Sequence, residues 1–212
     1  MQQKYKLTDE TIELGCATLY RIEALRDFGN VKAGDKGGFV QSELNLSQKK
    51  NCWIYNKAKV CGKAVICGDA KVSGEARVWG KARVYDRAWI YGKAKVWGES
   101  SVYGEASVYG QAEVWGEAEV CGRAEVCGET SIKSIEDYIV FKNWWSSGRY
   151  FTWTRNNNMW KVGCFYGTGE ELIKKAYADS EESGKEYERI VRYVENILAS
   201  KKKYASRNKC TD

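Results

Sequence analysis

From residue 54 to residue 132, Val or Ile occupies every sixth position of the chain without exception. A small residue stands four positions after each of the first thirteen, and it is Ala everywhere except at Ser100 and Thr130. A helix has a period of about 3.6 residues and a strand a period of two, so a strict period of six predicts a solenoid of short strands joined by corners. In each hexad we expect the Val or Ile to point inward and the small residue to fill the inside of the corner.

Glycine marks the corners of this repeat. It stands two residues after the Val or Ile in all but two of the hexads that begin between Ile54 and Val126, and Asn56 and Asp86 replace it there. Gly, Asn and Asp are the residues that best tolerate a left-handed backbone. Each hexad is therefore predicted to be a short strand followed by a tight corner with positive φ.

The hexads resemble the left-handed parallel β-helix of the hexapeptide-repeat proteins, as the run GKAKVWGESSVYGEASVYGQAEVWGE from Gly92 to Glu117 illustrates. The resemblance implies triangular coils of three hexads, or 18 residues, that stack about 4.8 Å apart. The left hand is taken from the family, because parallel crossovers are otherwise right-handed. Trimers are usual in the family, so the resemblance also implies a homo-oligomer.

The segment before the repeat carries a second resemblance. RDFGNVKAGDKGGFV, which ends at Val40, and the following NLS are similar to the N-terminal cap of a subgroup that is common in phage and prophage genomes and is labelled as transferases. This similarity implies a viral protein encoded by a bacteriophage or prophage. It would then act in the host cytoplasm.

The predicted fold class is mainly β: a left-handed parallel β-helix with an N-terminal hairpin cap and a small C-terminal α+β domain. The predicted boundaries are a hairpin and cap at 1–51, the β-helix at 52–132, an α+β partner-binding domain at 133–200 and a basic disordered tail at 201–212. In the C-terminal domain, DYIVF, RYFTWT and MWKVGCFY alternate like the strands of a three-stranded meander. Two helices follow it, with capping boxes at Thr168–Glu171 and Ser183–Glu186.

A coil of 18 residues sorts the position after each Val into three columns, and one of them contains three Trp residues. With the Val residues pointing in, the Trp column is predicted to face outward on one side of the β-helix. Stacked aromatic ladders stabilise neighbouring coils, but a wide apolar strip more often marks an interface. The predicted oligomer interface, of a trimer or a dimer, consists of Trp79, Trp97 and Trp115.

The charges are unevenly distributed although the net charge is only +6. Residues 57–97 hold ten Lys or Arg and three acidic residues, whereas residues 98–130 hold seven Glu and one Arg. The basic half could contact an anionic partner, or both halves could simply be solvated surface. The candidate basic face consists of Arg77, Arg83 and Lys95.

The sequence offers few residues for catalysis or metal binding. It contains no His, which the acyltransferases of this family use as the base and their carbonic-anhydrase relatives use to bind zinc. Its eight Cys form no CxxC pair, and Cys16 and Cys164 are expected to pack within strands. We therefore expect no enzymatic activity, no cofactor, no metal and no catalytic residue. No apolar run is long enough to span a bilayer, so we also expect a cytoplasmic protein without membrane contact.

The C-terminal domain concentrates Trp and Arg, which can stack on bases and neutralise phosphates. The aromatic residues also have to supply the core of a small domain, but two adjacent Trp residues in a turn cannot both point inward. The predicted partner-binding residues are Trp144, Trp145, Arg149, Arg155 and Lys161.

These observations favour a non-enzymatic binding protein that captures or inhibits a host factor. The factor would be a host protein, for example a defence protein associated with nucleic acid. Two other functions stay open. One is a hexapeptide-repeat acyl- or nucleotidyl-transferase with its site between subunits, and the other is a nucleotide-binding sponge that uses the Trp and Arg cluster.

Overall fold

The N-terminal segment forms the predicted hairpin, in which strand β1 (Tyr5–Leu14) pairs antiparallel with β2 (Ala17–Ala24). Strand β2 also pairs with β3 (Lys36–Val40), which is parallel to the hexad strand Lys59–Val60. The hairpin therefore continues one face of the solenoid and covers a strand edge that would otherwise be open to pairing. Since β3 already forms a rung, the solenoid begins before residue 52.

The hexads fold as a parallel β-solenoid of about five turns, as their period predicts. Each hexad contributes a two-residue strand that ends at its Val or Ile. The strands are β4 (Trp53–Ile54), β5 (Lys59–Val60), β6 (Val65–Ile66), β7 (Lys71–Val72), β8 (Arg77–Val78), β9 (Arg83–Val84), β10 (Trp89–Ile90), β11 (Lys95–Val96), β12 (Ser101–Val102), β13 (Ser107–Val108), β14 (Glu113–Val114), β15 (Glu119–Val120), β16 (Glu125–Val126) and β17 (Ser131–Ile132).

The strands are arranged in three faces, and neighbours within a face are three hexads apart in the chain. The first face, which we call the Trp face, has the order β1-β2-β3-β5-β8-β11-β14-β17. The second has the order β15-β12-β9-β6 and the third the order β16-β13-β10-β7-β4. Val78 lies opposite Val96, which lies opposite Val114, so the predicted 18-residue coil is confirmed. Every Val or Ile of the repeat and every small corner residue is buried.

The corners adopt the predicted left-handed backbone. Gly98 has a φ of 76°, and a Cβ added to it would lie 2.8 Å from the carbonyl oxygen of Gly116 in the next coil. Asp86 also has a positive φ, of 56°, and its carboxylate accepts a hydrogen bond of 3.2 Å from the Gly104 amide. At Gly98, glycine is therefore favoured by the close approach of the next coil as well as by the backbone conformation.

Polar side chains close both ends of the solenoid, where one coil has no neighbour. At the N-terminal end a 3₁₀ turn (Glu43–Asn45) buries Asn45, whose Nδ2 donates to the Gly62 and Ala64 carbonyls at 3.0 and 2.9 Å. At the C-terminal end the Thr152 hydroxyl accepts from the Glu125 amide at 2.9 Å, and the Tyr138 hydroxyl accepts from the Cys121 amide at 3.2 Å. These contacts replace the hydrogen bonds that another coil would provide.

The C-terminal sheet has four strands where the sequence predicted three. It follows a 3₁₀ turn (Ile135–Asp137), and the strands lie in chain order as β18 (Tyr138–Lys142), β19 (Tyr150–Thr154), β20 (Met159–Val162) and β21 (Phe165–Gly167). The predicted third strand is a hairpin, because Gly163 has a φ of 54° and reverses the chain. A positive φ is what two-residue hairpin turns require.

Two helices end the described chain, α1 (Gly169–Asp179) and α2 (Glu181–Asn208). The Thr168 capping box of α1 is confirmed, but α2 begins before the predicted cap at Ser183. The hydroxyl of Ser180 accepts from the Ser183 amide at 3.1 Å instead. Residues 201–208, expected to be disordered, continue α2.

In this computed structural model, residues 3–144 and 147–208 are described, with side chains up to residue 200. They fall into two compact units. The first contains the chain up to Val140 and Thr152–Asn157, and the second contains Phe141–Phe151 and the chain from Asn158 onward. Within these ranges, no helix has the length and apolar character needed to cross a bilayer.

We predict that Asn45→Ala lowers the free energy of unfolding by about 3 kcal/mol, because it leaves buried backbone groups without partners. The Asn45 side chain makes four hydrogen bonds, since its Oδ1 also accepts from the Gln41 and Ser42 amides. Urea denaturation measures the effect. Asn30→Ala, at an exposed turn, is the control and should change stability by less than about 0.5 kcal/mol. Equal stability of both variants would show that Asn45 does not close the solenoid.

Candidate binding surfaces

The three Trp residues of the Trp face form a stacked ladder. The ring centroids of Trp79 and Trp97 are 4.8 Å apart, and those of Trp97 and Trp115 are 5.8 Å apart, with interplanar angles of 4° and 6°. Their alignment outside Val78, Val96 and Val114 confirms the predicted column. Because each ring covers its neighbour, the side chains are half-buried and present mainly their edges to solvent. The role of this Trp ladder as an oligomer interface stays a prediction.

Tyr side chains form shorter ladders on the other two faces. Tyr85 stacks on Tyr103 at 4.9 Å, and Tyr91 stacks on Tyr109 at 4.6 Å. The hydroxyl of Tyr103 donates to the Glu119 carboxylate at 3.2 Å. Such pairs stabilise stacked coils by roughly 0.2–1 kcal/mol each, so these ladders are explained by stability alone.

The predicted basic face is divided between two faces of the solenoid. Arg77 and Lys95 precede Val78 and Val96 on β8 and β11, so they lie on the Trp face beside Trp79 and Trp97. Arg83 lies on β9, which belongs to the second face. The Trp ladder and two of the three basic residues therefore share a surface that the sequence analysis treated as two separate sites.

The uneven charges become ion pairs between coils where the basic and acidic halves meet. Each pair joins residues 18 positions apart, with N···O distances of 2.6, 3.1 and 2.9 Å: Lys81–Glu99, Arg87–Glu105 and Lys95–Glu113. These pairs are exposed and contribute little to stability. Arg77 and Arg83 have no such partner among the described residues, which leaves their charges available to a ligand.

Two grooves follow the corners of the solenoid. One, of about 540 Å³, runs from Arg77, Lys93 and Lys95 to Glu113 and Glu129, so its charge changes sign along its length. The other, of about 330 Å³, is lined by Tyr55, Lys71, Arg87 and Trp89, together with the Asp69 carboxylate of the solenoid and the amides of Asn30 and Asn51. Trp89, which is 44% exposed, was not predicted as a site residue. Its only sequence signal is that it occupies the outward position before Ile90.

The C-terminal unit exposes an aromatic and basic surface around Trp144. This side chain is 70% exposed, and the Lys142 Nζ lies 4.2 Å from its ring centroid. The backbone bond from the Asn143 amide to the Arg149 carbonyl, 2.9 Å long, closes the loop that carries it. Arg149 passes over Gly163, whose carbonyl also accepts a hydrogen bond from Lys161. We call Lys142, Trp144 and Arg149 the Trp144 patch.

Of the remaining predicted partner-binding residues, Lys161 lies beside Arg149 at Gly163. Arg155 belongs to the first unit, where its guanidinium lies 3.7 Å from the Glu136 carboxylate and its amide donates to the Asp137 carbonyl at 2.7 Å. Trp145 lies outside the described residues. These contacts attach the chain to the end of the solenoid, and the role of Arg155 in partner binding stays a prediction.

The Cys52 sulfur lies 3.3 Å from the Lys4 Nζ, but burial outweighs this cation and raises the pKa of the thiol. Burial raises the pKa of the Cys61 and Cys67 thiols, which keeps them protonated near neutral pH. Cys16 and Cys164 were expected to pack within strands, but both are exposed at hairpin turns. In the described ranges, no three Cys, Asp or Glu side chains are grouped so that they could hold a metal ion.

Comparison with known proteins gives one partial similarity. No protein family profile matches the chain. A stretch of 39 residues is 46% identical to the uncharacterized acetyltransferase YdcK of Escherichia coli strain K12, and it covers 18% of this chain but only 12% of that protein. The β-solenoid and a similarity to an acetyltransferase both agree with the hexapeptide-repeat resemblance. Neither bears on the phage subgroup.

We predict that Trp97→Ala lowers the free energy of unfolding by about 1 kcal/mol more than Trp79→Ala, because the central ring loses two stacking partners and the outer ring loses one. Chemical denaturation of dilute protein measures both variants without interference from self-association. Equal losses would mean that stacking within the Trp ladder does not stabilise the solenoid.

Proposed function

We propose that the protein is a non-enzymatic binding protein that captures a host factor associated with nucleic acid, and that the Trp144 patch is the site of capture. The observation that carries this proposal is the exposure of Trp144, which exceeds that of every other aromatic side chain in the described residues. Trp and Arg are the residues most enriched at binding hot spots. A large ring left in solvent on a small unit is therefore a candidate anchor for a partner.

The side chains of the Trp144 patch favour a ligand that carries negative charge and aromatic rings. Lys142 holds the Trp144 ring through a cation–π contact and also lies 5.6 Å from the Tyr150 ring centroid. Arg149 adds a second cation on the same loop. Rings next to cations bind nucleobases by stacking and phosphates by charge. This combination supports a partner that carries nucleic acid, or a free nucleotide in the sponge hypothesis.

The proposal also concerns the origin and the role of the protein. The similarity of its N-terminal cap to phage and prophage proteins supports a phage-encoded protein that acts on a host factor in the host cytoplasm. Capture would inhibit that factor by covering its surface. The rigid solenoid would serve as the scaffold that carries the binding unit.

Acetyl transfer is a second candidate function, which the partial similarity to an acetyltransferase favours. Acyl transfer to an amine or hydroxyl needs a base near the acceptor. The chain contains no His, and the Cys61 and Cys67 thiols have raised pKa values. A carboxylate would have to act as the base, at a site that forms only between copies of the chain.

We predict that Trp144→Ala/Arg149→Ala weakens capture of the host factor at least about 30-fold, because both residues are expected to be hot spots. The measurement compares affinity pull-downs from host lysate, with and without nuclease, followed by mass spectrometry. The matched control Trp89→Ala/Arg83→Ala removes the same residue types from the solenoid and should retain the partner.

Two results would contradict this assignment. Normal capture by Trp144→Ala/Arg149→Ala, together with loss of capture by Arg77→Ala/Arg83→Ala/Lys95→Ala, would place the site on the basic half of the solenoid. Tight binding of a free nucleotide by the purified protein, lost in the Trp144 patch variant, would favour the nucleotide sponge.

We predict no saturable transfer from acetyl-CoA to amine or hydroxyl acceptors, because the chain lacks the His that hexapeptide-repeat acyltransferases use as the base. Chromatographic measurement of free CoA avoids interference from the protein's own thiols. Saturable turnover that is lost on changing a single Glu or Cys would make the protein a transferase.

A further inference from the structure

The charge of the solenoid changes sign along its axis. Residues 57–97 carry ten Lys or Arg and three acids, and residues 98–130 carry seven Glu and one Arg. Because successive coils stack in one direction, this sequence asymmetry becomes a basic half and an acidic half of a rod. Ion pairs within the chain join the halves only near their junction, as Lys81–Glu99 does. Farther from the junction, the acidic side chains Glu119, Glu125 and Glu129 accept hydrogen bonds from Tyr103, Tyr109 and Gln111.

One strip of the surface combines this charge division with exposed aromatic edges. The corner that follows the Trp face carries a column of four charged residues, which we call the corner column: Lys63, Lys81, Glu99 and Glu117. The outward column two residues before it consists of Cys61 and the Trp ladder. The ends of the corner column are Lys63 and Glu117, and both are exposed. Their side chains have no ion-pair or hydrogen-bond partner among the described residues.

The direction of the column decides which arrangement of two copies it permits. When two rods associate with their axes parallel, coils at equal height meet, so basic coils face basic coils and acidic coils face acidic coils. When the axes are antiparallel, the basic half of each copy faces the acidic half of the other. Like charges placed together across an interface cost several kcal/mol, whereas opposite charges fix orientation and register.

We propose that this strip binds a second copy of the chain in the antiparallel orientation, around a two-fold axis perpendicular to the solenoid. The axis passes between the rungs of Lys81 and Glu99. Lys63 then faces Glu117 of the second copy, and the same contact repeats on the other side of the axis, as two-fold symmetry requires. Both unpaired ends of the corner column acquire an opposite charge.

The same register fits the aromatic column. It places Trp79 opposite Trp97 of the second copy and Cys61 opposite Trp115 of the second copy. A hollow of about 360 Å³ lies beside Cys61, between the hairpin tip at Leu14 and the Trp79 ring. The small Cys61 side chain leaves this space open, and a Trp ring from the second copy can enter it. The same register places Lys59 opposite Glu113 of the second copy, whereas Arg77 faces Lys95 of the second copy, whose charge Glu113 compensates within its own chain.

This arrangement differs from the parallel trimer that the family resemblance implies. A three-fold axis parallel to the solenoid brings coils of equal height together, so mainly basic coils meet mainly basic coils and mainly acidic coils meet mainly acidic coils. The variants that test the antiparallel dimer change none of the Trp144 patch residues, so a failure of this proposal is distinguishable from a failure of the proposed function.

Charge reversal tests the antiparallel register. Lys63→Glu and Glu117→Lys each place like charges at both ends of the interface, and we expect each to raise the dimer dissociation constant at least about 10-fold. The double variant Lys63→Glu/Glu117→Lys exchanges the charges and should recover the wild-type constant within about 3-fold. Sedimentation equilibrium over a concentration series measures all four proteins, and circular dichroism shows that each is folded.

Two further variants keep the test independent of folding. Lys57→Glu reverses a charge at another corner and should leave the dissociation constant unchanged. Cys61→Trp extends the Trp ladder, so the solenoid stays folded, but it fills the hollow and should also weaken the dimer. Raising the salt concentration to about 1 M shortens the screening length to about 3 Å and should dissociate the wild-type dimer further.

Several outcomes would overturn the proposal. These are a monomer at every concentration, a trimer, and a dimer that the single charge reversals do not weaken. Failure of the double variant to recover association would also overturn it, because a parallel or unrelated interface does not couple residue 63 to residue 117.

Discussion

The solenoid depends on the backbone hydrogen bonds that each coil makes to the next at a constant offset. The Trp79 amide donates to the Val96 carbonyl at 3.0 Å, and the Trp97 amide donates to the Val114 carbonyl at 2.9 Å. A constant offset is possible only because every corner has the same left-handed backbone and the same close approach between coils. The side chain at any hexad position therefore lies over its equivalent in the next coil.

This constraint turns sequence periodicity into surface columns. Aromatic residues become ladders, and charges of opposite sign in consecutive coils become ion pairs such as Arg87–Glu105. It also places two cations over one another at Arg77 and Lys95, and these charges do not neutralise each other. A rod built in this way presents long, repeated strips, which suit association with another extended surface better than the enclosure of a small substrate.

The C-terminal unit is not built from a sequence repeat. Its aromatic residues divide between a core, in which Phe151 packs edge-to-face on Trp160 and Tyr187, and a surface that exposes Trp144. No repeat fixes these positions, so each depends on its own contacts. Loops on such a unit can carry binding specificity because no repeat constrains them.

The sequence by itself determined the solenoid, its buried Val and Ala positions, its corners and the alignment of the Trp ladder. These features depend on contacts that repeat every 18 residues, so the conformation and contacts of one hexad predict those of the other hexads. Only the tertiary structure showed that Asn45 closes the first coil, that Gly163 divides a strand, and that Arg155 pairs with Glu136. Each of these depends on a single non-repeated contact or turn, whose geometry no pattern in the sequence specifies.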